Sequence, residues 1–234
     1  MATSTVSAGK SARSSVSTII AKVIVAVTGI VFVAYVVAHM YGNLMILGGK
    51  DAFNDYAHHL RVLGEPMLPY GGFLWVMRVV LIASLIGHAG AAVWLWRRAG
   101  RARSTRYVAR RPLSYGTFYA RAMRWGGVAL LLFVVFHLLH LTTNTIKING
   151  DYKLPADRLV SSFEVWWAVL VYLLAVLALG MHLLHGIWGA GMTLGLNTSL
   201  RAAEWIRLTA IVVATVVVVG FMVPPLAILF GLAP

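Results

Sequence analysis

Five stretches of this chain, 16–47, 72–96, 125–146, 163–192 and 206–229, stay apolar for long enough to cross a membrane as helices. About 20 residues suffice for a hydrocarbon core of about 30 Å. Backbone amides in lipid find no water, so each crossing segment must close its hydrogen bonds within itself. The expected fold class is therefore all-α, an integral membrane bundle of five transmembrane helices. The chain has 234 residues, of which 12% are charged, against about 25% in an ordinary soluble domain. The spans leave no length for a separate soluble domain. Residues 1–16 are rich in Ser, Thr and Ala and carry Lys10 and Arg13; they read as a disordered cytoplasmic tail, and 17–234 as the membrane domain. The apolar run that follows the tail exceeds the roughly 7–15 residues of a signal-peptide core, so it reads as the first span.

The formal net charge is +13, and its distribution excludes a nucleic-acid partner. Nine arginines and no acid lie between Arg97 and Arg124, in a connection between two spans. Positive charge collects in short cytoplasmic loops, which puts the N-terminus in the cytoplasm and the C-terminus outside. The connection after the fourth span, with Arg201 and Arg207, then lies inside. The segments 48–70 and 147–162 lie outside, and in or beside them fall Asp51, Asp55, Glu65, Asp151, Asp157 and Glu164; only Glu204 is inside. Trp75, Trp125, Trp166, Trp167 and Trp205 sit near span ends and read as an interfacial belt against membrane lipid. The segment 49–72 is expected to hold polar turns and a small amphipathic helix over 52–63, closed by Pro66 and Pro69. Cysteine is absent, which excludes disulfides, thiolate catalysis and an iron–sulfur cluster on this chain's own thiolates.

Of eight histidines, six fall in spans: His39, His88, His137, His140, His182 and His185. A neutral histidine can simply hydrogen-bond one helix to another, but six in four spans point to function. His39, His88, His137 and His185 recur at nearly equal intervals. On the topology above they sort by depth, with His39 and His137 toward the outside and His88 and His185 toward the inside, roughly 15 Å apart at 1.5 Å per residue. Two axial histidines from two helices at one depth can hold a haem inside a four-helix bundle. Ala38, Gly42, Gly87, Ala89, Gly90, Gly186 and Gly189 flank these positions and would let a flat macrocycle approach the backbone. A rival arises from Phe136-His137-Leu138-Leu139-His140 and its echo Met181-His182-Leu183-Leu184-His185. Histidines three apart share a face, so the two pairs could hold a non-haem metal, although they are staggered in depth by roughly 12 Å.

These residues resemble the cytochrome b membrane-anchor subunit of succinate:quinone oxidoreductases, in its five-span, single-subunit, two-haem form found with menaquinone-linked succinate dehydrogenases and fumarate reductases. The resemblance covers nearly all of the chain after residue 16. It is sharpest at His39-Met40-Tyr41-Gly42-Asn43-Leu44, Ala52-Phe53-Asn54-Asp55-Tyr56-Ala57, His88, Phe136-His137-Leu138 and Leu184-His185-Gly186. It implies two haem b groups: a distal one ligated by His39 and His137 and a proximal one by His88 and His185, with His140 and His182 as substitute ligands. It also implies a flavoprotein subunit and an iron–sulfur subunit docked on the cytoplasmic face, electrons passing through the haems to menaquinone, a bacterial plasma (inner) membrane and a place in the tricarboxylic acid cycle. The complex would be the enzyme and quinone reduction would occur at this subunit, with no catalytic residue assigned here; such complexes can assemble into a higher oligomer. Some relatives carry an acid two positions before the last ligand, where this chain has Leu183.

The most polar region beside the outer haem level holds Asn43, Asn54, Tyr56, His58, His59, Arg61 and Glu65. A quinone headgroup needs donors to its carbonyls and protons for its reduction, which His58, His59 and Glu65 can supply. Arg78, near the outer end of span 2, is placed to pair with a distal haem propionate or to snorkel to the headgroups. Arg106, Arg110, Arg111 and Arg124 on the inner face could meet proximal propionates, acidic lipid or acids on the docked subunits. Two other functions compete. A dihaem cytochrome b anchor of a hydrogenase or formate dehydrogenase shares the paired histidines but lacks the Phe-Asn-Asp-Tyr-Ala segment. A transporter with a histidine proton relay would be expected to show broken helices or inverted repeats, which this sequence does not display clearly.

Overall fold

The structure is a computed structural model and describes residues 17–101 and 115–234. The expected tail over 1–16 lies outside the described residues, as do Arg106, Arg110 and Arg111. Among the described residues seven α-helices follow one another: α1 (Thr18–Leu44), α2 (Lys50–Val62), α3 (Gly72–Arg101), α4 (Tyr115–His137), α5 (Pro155–Phe163), α6 (Trp166–Thr193) and α7 (Leu200–Leu229). A 3-10 turn, Met45–Gly48, extends α1, and a π turn, Leu138–Thr142, extends α4. There is no strand among the described residues. Five segments are long and apolar enough to cross a membrane: Thr18–Gly48, Gly72–Arg101, Ala122–Thr142, Trp166–Thr193 and Leu200–Leu229. The chain is thus a multi-pass membrane protein.

The spans agree with the apolar pattern, and their ends differ for local reasons. Span 5 begins at Leu200, because Ser199 caps the helix by accepting from the Ala202 amide at 3.1 Å. Arg201, Glu204 and Arg207 therefore lie on its first turns and not in the connection. Span 3 stops at Thr142, where Thr143 donates to the Leu138 carbonyl in the wider π pattern. The small amphipathic helix beyond span 1 is present as α2. The segment 147–162 is not all loop: α5 begins within it, with Pro155 in its first turn. Its apolar residues Ala156, Leu159, Val160 and Phe163 fall at helical spacing, and all four are buried.

Close backbone packing joins α1 to α3, α6 and α7, and α6 to α4 and α7. The α6–α7 contact rests on glycines. A Cβ on Gly180 would run into Val218, and one on Gly191 would lie 2.7 Å from Ile206 Cγ2. Both neighbours are β-branched and stiff, so the missing side chains let the two backbones approach. Elsewhere α7 meets α1, with Gly220 against the Met40 thioether. Beyond the spans, α2 and α5 lie together. The Asn54 side chain accepts from the Ala156 amide at 3.2 Å, and Lys50 pairs with Asp157 at 2.9 Å. Beneath them Ile46, Leu159, Val160, Phe163, Val169, Tyr172 and Ile228 form one buried cluster. Replacing Gly180 by Ala is expected to overpack the α6–α7 contact and remove about 1–3 kcal/mol of stability, read as a lower thermal-unfolding midpoint in detergent. Gly126→Ala, where nothing lies within 4 Å of the added carbon, is expected to show no such loss.

Candidate functional site

The six histidines of the spans gather into two groups. In the first, the rings of His39 on α1 and His137 on α4 lie 5.8 Å apart, centre to centre, with planes at 85°. In the second, the rings of His88 on α3 and His182 on α6 lie 6.2 Å apart at 54°. Neither α1 with α4 nor α3 with α6 is among the closely packed helix pairs. The rings thus meet across the bundle rather than between touching backbones. His185 follows His182 by three residues on α6, and the His182 ring is in contact with that of His88.

Each ring is held from its own side. His88 Nδ1 lies 3.1 Å from Thr28 Oγ1, and Thr28 donates its proton to the Ile24 carbonyl at 2.6 Å. Phe32 meets the same ring edge-on at 5.7 Å. His39 stacks on Tyr35 at 5.4 Å and touches Phe221 of α7 at 5.8 Å. The histidine-free fifth span therefore borders the first group. His137 Nδ1 lies 3.3 Å from the Tyr172 hydroxyl, with Phe133 tilted over the ring at 5.8 Å. His182 Nδ1 is buried without a hydrogen-bond partner. An orphaned ring nitrogen in the membrane interior is the kind of group a ligand would satisfy.

His140 is different. It is fully buried, and both its nitrogens are engaged, Nδ1 with Tyr172 Oη at 3.0 Å and Nε2 with Ser162 Oγ at 2.8 Å. To ligate a metal it would have to give up one of them. Tyr172, Ser162 and Thr28 are the side chains that sequence reasoning passed over. The signal was present, since each is a hydroxyl in or beside an apolar segment, but the partner each one meets comes from a distant helix.

The imidazoles have the donor chemistry that haem iron takes, and the spacing suits it for His39 with His137 and, in place of the expected His185, for His88 with His182. Two imidazoles ligating one metal from opposite sides at about 2 Å per bond put their ring centres about 6 Å apart, which is the spacing of both pairs. A metal-bound histidine usually gives its other ring nitrogen to a second group, as Thr28 and Tyr172 are placed to receive it. Two glycines outside the expected flanking set, Gly29 and Gly127, face histidines: a Cβ there would lie 3.6 Å from His88 Cε1 and 3.8 Å from His182 Cε1, whereas at Gly90, Gly186 and Gly189 it would meet nothing within 4 Å. Gly87 faces Ile24 and Thr28 instead. It helps line a mostly apolar crevice of about 270 Å³ between α1 and α3, with Ala21, Gly90, Ala91 and Trp94. Among the described residues no three His, Asp or Glu side chains converge on one metal position.

The candidate quinone residues are spread over the last turn of α1, α2 and the turn after it. The Tyr56 ring presses on Gly42, where a Cβ would lie 2.6 Å from it, and Tyr41 approaches it edge-on at 6.0 Å. Burial, and then Tyr41, push the Tyr56 phenol above its ordinary range, so it remains protonated and able to donate. Asn43 donates to the His39 carbonyl at 2.8 Å, and Arg61 to the Ala57 carbonyl at 2.6 Å. Asn54 is committed to α5. His58, His59 and Glu65 are exposed, with the His58 ring 6.5 Å from Tyr70. The Arg78 guanidinium lies over the Trp75 ring at 4.9 Å. At the other end of the bundle Arg124 lies over Trp96 at 5.7 Å, and the Trp96 and Trp125 rings meet at 5.9 Å.

The chain matches no protein-family model, no curated protein and no solved structure. Arg158 on α5 ties the end of span 3 to the segment before α5, donating to the Leu141 carbonyl at 2.8 Å and the Tyr152 carbonyl at 3.2 Å. Arg158→Met is expected to lose these charged hydrogen bonds, worth about 1.5–3 kcal/mol. The measurement is limited proteolysis, with faster cleavage expected between α4 and α5.

Proposed function

We propose that this chain is the membrane-anchor and electron-transfer subunit of a succinate:quinone oxidoreductase. The observation that carries the reading is the pairing of histidine rings across the bundle, His39 with His137 and His88 with His182. Four such rings, paired between helices that are not closely packed, are the kind of intramembrane ionisable groups that point to function. The N-terminus lies in the cytoplasm and the C-terminus outside, in the inner membrane of a bacterium, because the arginine-rich connection after α3 belongs inside. The flavoprotein and iron–sulfur subunits dock on that basic face.

His39 and His137 would hold the distal haem b. His88 holds the proximal one together with His185 or His182, and the geometry favours His182. When bound, haem b supplies a one-electron carrier between the iron–sulfur subunit and the quinone. The chain's own work is to fix ring orientation and keep water away. Thr28 and Tyr172 take the outer nitrogens of His88 and His137, while Tyr35 and Phe221 fix the plane of His39. At the outer end Tyr56 donates to a carbonyl of menaquinone, with His58, His59 and Glu65 as exposed proton carriers. A non-haem metal held by the two HxxH pairs is less well supported, since His140 has both nitrogens engaged.

A reduced-minus-oxidised spectrum of the purified complex tests this reading, with a sharp bis-histidine α-band expected. His39→Ala and His137→Ala are each expected to remove one haem, and His88→Ala the other. His182→Ala is expected to deplete the same haem as His88→Ala, and His185→Ala to spare it. A fully assembled complex with no α-band overturns the cytochrome reading.

The quinone end is checked separately. Tyr56→Phe is expected to raise the KM for a menaquinone analogue from a few-fold to about tenfold, the worth of one neutral hydrogen bond. Succinate oxidation by a soluble dye should be unchanged.

A further inference from the structure

We infer that Tyr172, His140 and Ser162 form a hydrogen-bond relay of fixed polarity that locks His137 as the Nδ1–H tautomer and turns its Nε2 lone pair toward a metal. The inference rests on the proposal that His137 ligates haem, and it assigns the three residues a positioning role.

The polarity follows from counting protons at each oxygen and nitrogen. Ser162 Oγ lies 2.6 Å from the Arg158 carbonyl. A carbonyl can only accept, so the serine gives its single proton there. Ser162 Oγ must then accept from His140 Nε2, 2.8 Å away. His140 is fully buried and its hydrogen-bond partners are Tyr172 and Ser162 alone. With no carboxylate to compensate a charge, the ring is neutral. A neutral imidazole with its proton on Nε2 has Nδ1 as acceptor. The Tyr172 hydroxyl, 3.0 Å from that Nδ1, therefore donates to it. Its oxygen is left to accept from His137 Nδ1 at 3.3 Å. His137 thus carries its proton on Nδ1, and Nε2 is the free base.

The fold has to be unusual to build this line. The π turn Leu138–Thr142 contains His140 and directly follows His137, and π turns often occur at functional positions in helices. Tyr172 comes from α6 and Ser162 from α5, so three elements must dock before the relay is complete. The second group is held by a shorter device: Thr28, whose proton goes to the Ile24 carbonyl, takes His88 Nδ1 at 3.1 Å, while His182 Nδ1 is an orphan.

The test is an optical redox titration of the whole complex carrying Tyr172→Phe, His140→Leu or His140→Gln. An accepting partner on Nδ1 makes a ligating imidazole more basic, which favours oxidised iron. Tyr172→Phe and His140→Leu are therefore expected to raise the midpoint potential of one haem, the one lost in His137→Ala, and to leave the other in place. His140→Gln is expected to restore it, because a carboxamide can accept from Tyr172 and donate to Ser162. Unchanged potentials in Tyr172→Phe, with haem retained, overturn the relay and leave the cytochrome reading standing. Full haem content in His137→Ala overturns the ligand assignment instead. A second readout needs no haem. In ¹⁵N-histidine spectra of the full chain in micelles, His137 is expected as the Nδ1–H form, and the Nε2–H form overturns the relay.

Discussion

Inside a bilayer a polar side chain has no water to turn to, so it must find a partner within the protein or leave a donor or acceptor unsatisfied. The placement of the histidines, and much of what surrounds them, follows from that constraint. Large aliphatic side chains such as Ile82, Ile86, Leu132 and Leu174 lie exposed on the outside of their helices, where lipid tails are an adequate solvent. The imidazoles turn the other way. Once inward, each needs a second group, and the sequence supplies hydroxyls at the matching heights: Thr28 opposite His88 and Tyr172 between His137 and His140. Thr28 also satisfies itself by bonding back to Ile24, so it can serve His88 without an unmet proton of its own.

The short helices outside the spans serve the same constraint at the outer end. A nine-residue helix such as α5 is too short to be stable alone. It persists because Ala156, Leu159, Val160 and Phe163 complete the cluster over Tyr172, and because Asn54, Lys50 and Arg158 tie it to α2 and to the end of span 3. Docking it delivers Ser162 to His140. The outer loop is in turn pinned: Asn149 donates to the Ser161 carbonyl at 3.1 Å and to Glu164 at 3.0 Å. Asp151 accepts from Lys147 and then Asn144, which holds its carboxyl below the usual range. The region first read as a polar loop is thus a lid on the first histidine group.

The five spans were legible because a crossing segment carries its signal in bulk composition, which needs no partner to be read. The grouping of the histidines by depth was legible for a related reason, since rise per residue converts position into height. What could not be read is rotation. His182 and His185 lie three residues apart on one helix, close to the same face. Which of them meets His88 depends on how α6 is turned against α3. The α5 helix was missed although its apolar residues stand at helical spacing, because Asp157, Arg158, Ser161 and Ser162 interleave them and dilute the signal in so short a window. The start of span 5 was set by a serine cap that hydrophobicity does not register. Tyr172 and Ser162 escaped notice because a hydroxyl has meaning only beside its partner, and their partners are 22 to 35 residues away in the chain.

The echo between His137-Leu138-Leu139-His140 and His182-Leu183-Leu184-His185 shows how far local sequence is from fixing chemistry. In the first copy the helix opens into a π turn just after the leading histidine, and the trailing one is enclosed by Tyr172, Ser162 and Phe136. In the second the helix runs on unbroken to Thr193, and the leading histidine faces His88 with a bare Nδ1. A histidine whose second nitrogen is engaged has its tautomer chosen for it, whereas one whose second nitrogen is bare does not. The same four-residue pattern therefore yields a fixed donor on one side of the bundle and an adaptable one on the other.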